Sequence, residues 1–126
     1  MNGVLKALYD YWHSFGVPAY LQDQVPEDAM LPYITYNAVQ GDFFSEAATS
    51  AVYWTPAGVA QCAEFLNAVK LDMPHSGKFL KTDTGAILLF PSNGDFLSIM
   101  DEQDSDGSNT GIKGARVGYT VQFYCT

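Results

Sequence analysis

Basic residues are scarce in this sequence, with 6 Lys and Arg against 14 Asp and Glu and a formal net charge of −8. Nucleic acids and anionic membrane surfaces are bound mainly through Lys and Arg side chains that contact phosphate groups. The composition therefore argues against either as the main partner. The excess negative charge has two interpretations: it keeps the protein soluble, or it repels DNA from a surface that DNA must pass.

Long apolar runs are absent too. The longest, Ala86–Phe90, is far shorter than the roughly 20 residues that a membrane-spanning helix needs. The first six residues lack the basic and apolar regions of a secretory signal peptide. We therefore expect no membrane partner and a location in the cytoplasm of the cell that makes the protein. With 126 residues, 48% of them hydrophobic, the chain is predicted to form one domain, residues 1–126.

Cysteine is rare, since only Cys62 and Cys125 are present. Cys62 lies on the apolar side of a predicted helix and Cys125 on the apolar row of a predicted strand. Two isolated cysteines in a reducing compartment are more often buried thiols than a disulfide. A nucleophilic Cys–His pair would have to use His13 or His75, but both cysteines fit the core better.

The sequence also lacks the motifs that usually identify an enzyme. It contains no G-x-S-x-G, Walker loop, HExxH, CxxC or G-x-G-x-x-G pattern. Acidic residues are plentiful, but no pair of them is placed by the pattern at a cleft. We predict that the protein is not an enzyme, has no catalytic residues and uses no cofactor.

The clearest pattern that is present is an alternation over residues 115–125. Every second residue, from Ala115 to Cys125, is apolar, and the intervening residues are mostly polar. A period of two in a segment rich in β-branched and aromatic residues indicates a half-buried strand. At 3.3 Å per residue the strand would be roughly 36 Å long, so it requires long partner strands and helices over its apolar face.

The rest of the chain is predicted to supply those partners. Helical spacing of apolar residues indicates two helices, the second of which is expected to begin at Thr55-Pro56, with Thr55 as the N-cap. The predicted fold is an α+β single domain, with a mainly antiparallel or mixed β-sheet packed on one side by two helices and a long protruding β-hairpin or loop. The predicted elements are helices 3–15 and 56–71, strands 33–39, 50–55, 78–82, 86–90, 96–100 and 115–125, and an acidic loop 101–114.

The acidic loop has almost no apolar content and is longer than most connections between strands. Glu102, Asp104 and Asp106 alternate before Gly107, as in the first half of a calcium-binding EF-hand loop. The twelfth position of such a loop should be Glu, and here it is Lys113. A solvated acidic tip is therefore favoured over a calcium site, although a small acidic ligand- or calcium-binding module that uses residues 101–107 is the alternative function.

Two aromatic residues interrupt the strand pattern near the middle of the chain. Phe43 and Phe44 follow Asp42 and are adjacent, so in an extended segment their side chains point in opposite directions. Either one of them folds under the loop or at least one contacts a partner. Among the few basic residues, Lys113 and Arg116 flank the last strand and could pair with nearby acids or form a small positive patch.

Together these segments resemble the tail-terminator, or tail-completion, proteins of long-tailed (siphophage-type) bacteriophages, a family of small head–tail joining minor proteins. The resemblance is carried by six segments: Val4–Tyr9, Gly16–Tyr20, Pro32–Tyr36, Ala51–Trp54, the Pro56–Leu71 helix and the closing Arg116–Cys125 strand. Other phage neck and minor capsid proteins share this layout and are a further alternative.

The resemblance implies a structural virion protein that is found in the host cytoplasm during assembly. Copies would form a homo-oligomeric ring, hexameric in this family, that caps the tail-tube protein and joins the head-completion or connector protein. DNA would be a partner only as it passes through the lumen. We expect the partner interface to include Asp42, Phe43, Phe44, Asp101, Glu102, Asp104, Asp106, Lys113 and Arg116.

Overall fold

The computed structural model describes residues 3–92, 96–103, 107 and 109–125, and for Gln103 and Asn109 the backbone alone. It shows a single α+β domain with two helices and a curled, mixed sheet of seven strands, which confirms the predicted fold class. The elements are α1 (Gly3–His13), β1 (Ala19–Leu21), β2 (Tyr33–Tyr36), β3 (Glu46–Thr55), α2 (Val59–Asp72), β4 (Lys78–Thr82), β5 (Gly85–Pro91), β6 (Leu97–Gln103) and β7 (Asn109–Cys125).

The sheet is built around β7, which three other strands contact directly. On one edge β7 pairs with the whole length of β3, from Lys113 to Gln122. On its other edge β7 pairs first with β6 and then with β5. The strand order is β1-β2-β3-β7-β5-β4, with β6 beside β7, and the β1–β2 pair is the parallel one.

Both helices lie on the same face of the sheet, and the core lies between them and β7. The apolar row predicted for residues 115–125 is buried along its whole length. Trp12 of α1 packs against Tyr119 at the centre of this row, and its indole Nε1 donates a hydrogen bond to the Tyr119 hydroxyl at 3.3 Å. Buried indole and phenol groups need such partners, because an unsatisfied polar atom in the core costs about 1–3 kcal/mol.

The predicted start of the second helix is wrong. Thr55 is the last residue of β3, where it pairs with Lys113, and α2 begins at Val59 after Gly58. The Thr55 hydroxyl accepts a hydrogen bond from the backbone N–H of Ala57 at 3.1 Å, so it stabilises the turn before the helix instead of capping the helix itself.

The predicted acidic loop 101–114 is also wrong over most of its described length. β6 continues to Gln103 and β7 already begins at Asn109, so a paired ribbon occupies much of this segment. The partner strand β3 ends opposite Lys113. Beyond that point Thr110 and Gly111 are exposed, and Glu102 and Ile112 are only half-buried. A strand without a buried face need not alternate apolar and polar residues. Asp104 and Asp106 lie outside the described residues.

Two smaller differences concern the strands at the β1 edge. The three-residue strand β1 follows Pro18 and was not predicted, because it is too short to show a period. The predicted strand 33–39 ends at Tyr36 instead. There the chain leaves β3, and the side-chain amide of Asn37 donates to the carbonyl oxygen of Ser50 at 3.4 Å in place of a further backbone pair.

The β4–β5 hairpin depends on the glycine at its turn. Gly85 has φ of 150°, and a Cβ atom there would lie 2.2 Å from the backbone oxygen of Tyr124. We expect Gly85→Ala to lower the free energy of unfolding by roughly 2–4 kcal/mol, measured by urea denaturation, since backbone strain alone costs about 1–3 kcal/mol. Gly16→Ala is the matched control: φ is 87° but no atom lies within 4 Å. Equal losses in the two variants would contradict the steric explanation.

Candidate docking surface

The sheet face opposite the helices is the candidate functional surface. On β7 the residues that alternate with the buried row point to this face, and Thr120, Gln122 and Tyr124 are half-buried on it. None of the described helices packs on it, because both lie on the other side. A sheet face of this length without a covering layer is a common place for a partner to bind.

Four aromatic side chains form a cluster at the end of this face, which we call the aromatic patch: Phe43, Phe44, Phe79 and Tyr124. The ring centroids of Phe43 and Phe44 are 4.8 Å apart, those of Phe44 and Tyr124 6.1 Å, and those of Phe79 and Tyr124 5.9 Å. The exposed fractions are 46% for Phe43, 71% for Phe44 and 63% for Phe79. Aromatic residues that remain this exposed in contact with one another are typical of protein interfaces.

The backbone around Phe44 holds its ring in this exposed position. Phe44 has φ of 68°, a left-handed conformation that costs a non-glycine residue about 1–3 kcal/mol. Its N–H donates to the carbonyl oxygen of Phe123 at 2.7 Å, and the N–H of Phe123 donates to Ser45 at 3.0 Å. The Ser45 hydroxyl donates to the carbonyl oxygen of Asp42 at 2.6 Å. These bonds fasten the turn to the end of β7 and compensate for the strain.

A second exposed feature is the paired stretch of Asp101–Gln103 with Asn109–Lys113, which we call the charged ribbon. Asp101 and Lys113 face each other across it and form an ion pair. Just before the ribbon, Ile99 and Met100 are 41% and 37% exposed. The ribbon therefore carries charge at its base and adjoins exposed apolar side chains, a combination that suits a contact with another protein.

A groove of about 470 Å³ lies on the helix-free face beside the ribbon. Its walls include Tyr33, Trp54, Met100, Glu102 and Arg116. The Trp54 indole donates to the Thr35 hydroxyl at 3.0 Å, which fixes the ring against the sheet. Burial raises the pKa of Tyr33, and the nearby Glu102 carboxylate raises it further, so the hydroxyl is a neutral donor at physiological pH.

The predicted interface residues that the structure describes, which exclude Asp104 and Asp106, fall into two separate groups. Phe43 and Phe44 belong to the aromatic patch, and Asp42 lies in the turn that holds Phe44. Asp101 and Lys113 belong to the charged ribbon, while Glu102 and Arg116 line the groove beside it. Two members of the patch, Phe79 and Tyr124, were not predicted, because only the pairing of β4, β5 and β7 brings them together. The alternation over residues 115–125 did place Tyr124 on the face opposite the apolar row, and this was the one sequence feature that indicated its position.

The candidate nucleophiles and calcium ligands form no site in the described part of the chain. Cys62 and Cys125 are both buried as free thiols, as predicted. Burial raises the pKa of Cys62, with Lys113 acting in the opposite direction, so the thiolate is disfavoured. Among the described residues no three His, Cys, Asp or Glu side chains are grouped to hold a metal ion. Glu102 lies in a strand instead of a loop.

Neither described helix has the length and apolar character needed to cross a membrane. Comparison of the chain with models of protein families, with curated proteins and with solved structures finds no match in any of the three.

Proposed function

We propose that this chain is a structural protein of virion assembly, which caps a phage tail tube as a ring and joins it to the head connector. The proposal starts from the resemblance of its sequence segments to tail-terminator proteins. This function requires no catalytic site, and the aromatic patch and the charged ribbon are surfaces of the kind that bind proteins. The partners are further copies of the chain, the tail-tube protein and a head-completion protein.

The observation that carries the proposal is the position of two exposed surfaces at opposite ends of one strand. Lys113 of the charged ribbon and Tyr124 of the aromatic patch are 11 residues apart on β7, or about 36 Å in an extended chain. A subunit with different contact surfaces at its two ends joins its neighbours head to tail. Such contacts close into a ring when the rotation between neighbours is a whole fraction of a turn.

The net charge of −8 fits the same role. A ring of such chains would surround its lumen with an excess of carboxylates, which repel the DNA phosphates. DNA could then pass without binding. The same charge opposes assembly at low ionic strength, because copies of equal sign repel one another. We therefore expect ring formation to be favoured as salt rises from about 0.02 M to about 0.15 M, where the Debye length is roughly 8 Å.

Native mass spectrometry and negative-stain microscopy of the purified protein test this proposal, alone and with the tail-tube protein of the same phage. The expected result is a closed ring with a mass six times that of the 13.8 kDa chain, at the end of assembled tubes. A protein that stays monomeric under both conditions would contradict it. Rings that bind the head but not the tube would favour another neck protein over a tail terminator.

A further inference from the structure

We infer that neighbouring copies of this chain contact each other through the aromatic patch of one copy and the groove wall of the next that carries Met100 and Glu102, which we call the ribbon side. In this contact Met100 packs on the rings of Phe79 and Tyr124, and Glu102 faces Lys81. The inference rests on the proposed ring, for which it names the contact between subunits.

Lys81 gives the patch a positive side. It lies two residues after Phe79 on β4 and is exposed on the same face of the sheet. It pairs across the strands with Ala86, whose partner on β7 is Tyr124. Two strand spacings place Lys81 about 10 Å from Tyr124. Glu46 lies on β3, on the other side of β7, so Lys81 supplies the positive charge on the β4 side of the patch.

Lys81 also differs from the three lysines of the described chain that form ion pairs. Lys6, Lys78 and Lys113 form ion pairs with Asp10, Asp72 and Asp101. Within residues 3–92, 96–103, 107 and 109–125, Lys81 and Lys70 have no such pair, and of the two only Lys81 lies beside the aromatic patch. In a chain with 14 acidic residues, an unpaired lysine at the border of an exposed apolar cluster provides charge complementarity for an acidic partner.

The ribbon side carries the matching groups. Met100 is 37% exposed, and it lies with Glu102 on the wall of the same groove. A flexible thioether packs well against aromatic rings. Glu102 lies two residues farther along the strand, and although the pairing with β7 is irregular between Asp101 and Gln103, it lines the same groove as Met100. Met100 followed by Glu102 therefore repeats the spacing of Phe79 followed by Lys81.

The aromatic patch and the ribbon side are too far apart to contact each other within one chain. Met100 pairs with Gly114, and Gly114 and Tyr124 are separated by ten residues of continuous β7 strand, about 33 Å. The ribbon side of one copy must therefore contact the aromatic patch and Lys81 of another copy. Because the surfaces differ, the contact is heterologous and adds a new copy in the same direction each time.

A charge exchange tests the contact. We expect Lys81→Glu alone and Glu102→Lys alone to weaken self-association about 10-fold or more, measured by sedimentation equilibrium, because each places like charges opposite one another. The double variant, with both changes in each chain, should return to within about threefold of the wild type. Lys70→Glu on the exposed side of α2 changes the net charge by the same amount as Lys81→Glu and should have little effect.

Serine variants of exposed apolar residues test the packing separately from the charges. Phe79→Ser should weaken self-association about 30-fold, as expected for the loss of an aromatic anchor. Leu71→Ser is the matched control, because Leu71 is 87% exposed on α2 and lies off the proposed contact. Circular dichroism on each variant confirms that the fold is kept. If Leu71→Ser and Phe79→Ser behaved alike, the patch would not be the anchor.

Disulfide trapping separates failure of the contact from failure of the ring. Met100→Cys and Phe79→Cys chains are mixed and oxidised at high concentration, with the buried native thiols as background. A disulfide between the two variants supports the contact, even if the wild type forms open chains and the ring proposal fails. No disulfide overturns the contact. Rings that form equally well in all the charge variants would also overturn it, and the proposed function would stand.

Discussion

Replacing Trp12 with alanine is expected to lower the free energy of unfolding by about 3–5 kcal/mol, the usual loss for a large buried aromatic residue. Trp12 is fully buried and contacts Tyr11, Phe15 and Tyr119, with ring centroids 5.0–5.7 Å apart. Its removal leaves a cavity between α1 and the centre of β7, and the Tyr119 hydroxyl loses its donor. Urea unfolding at pH 7 measures the loss.

Trp12→Phe separates the two contributions. Phenylalanine refills part of the space but cannot donate to Tyr119, so we expect a smaller loss of about 1–3 kcal/mol. Tyr9→Ala serves as the control on the same helix, because Tyr9 is only partly buried and stacks on His13 at 4.4 Å. A Trp12→Ala loss no larger than that of Tyr9→Ala would show that α1 does not anchor the core.

Stability is expected to fall steeply above pH 10. Burial raises the pKa of Tyr119 and of Tyr11 above the ordinary value of 10.0, and for Tyr11 the nearby charge of Asp72 adds to the effect. The folded protein therefore keeps both protons after the unfolded chain has lost them, so a higher pH favours unfolding. Each group contributes a slope of about −1.4 kcal/mol per pH unit, and together they give about −2.7.

Tyrosine-to-phenylalanine variants check this assignment. In urea titrations at pH 10, 10.5, 11 and 11.5, Tyr119→Phe and Tyr11→Phe should each reduce the slope, by about 1.4 kcal/mol per pH unit at the upper end of this range. No hydrogen bond of normal geometry holds the Tyr11 hydroxyl among the described residues, and its interaction with Asp72 is weaker than that, so Tyr11→Phe should cost little at pH 7. Tyr33, Tyr36 and Tyr53, whose pKa values are also raised by burial, add to the remaining slope. A slope that neither variant changes would contradict the explanation.

The buried half of the fold could be predicted because it follows local periodicity. Alternation over residues 115–125 identified the inward row of β7, and helical spacing identified the two covering helices. Residues 109–114 could not be recognised as part of the same strand. They project beyond the end of β3, where neither face is buried, so no apolar alternation is required.

The candidate surface could be predicted only in part, for a related reason. The adjacent phenylalanines at 43 and 44 left two alternatives open in the sequence: a ring folded under the loop, or a ring that contacts a partner. Their contact with Tyr124, and its contact with Phe79, depend on the register of strands that are far apart in the chain. The left-handed conformation of Phe44 is likewise set by its bond to Phe123 and has no local signal, since phenylalanine rarely adopts it.

Because three strands share β7, their pairing has a consequence for synthesis. Glu46 of β3 pairs with Gln122, Gly85 of β5 with Cys125 and Leu97 of β6 with Val117. These three strands therefore cannot complete the sheet until β7, which follows them in the chain, has been synthesised. Folding that depends on such distant pairs is slow and late. A nascent chain without β7 would therefore lack the completed sheet on which a neighbour could dock, and oligomerisation would begin only after β7 has emerged and paired.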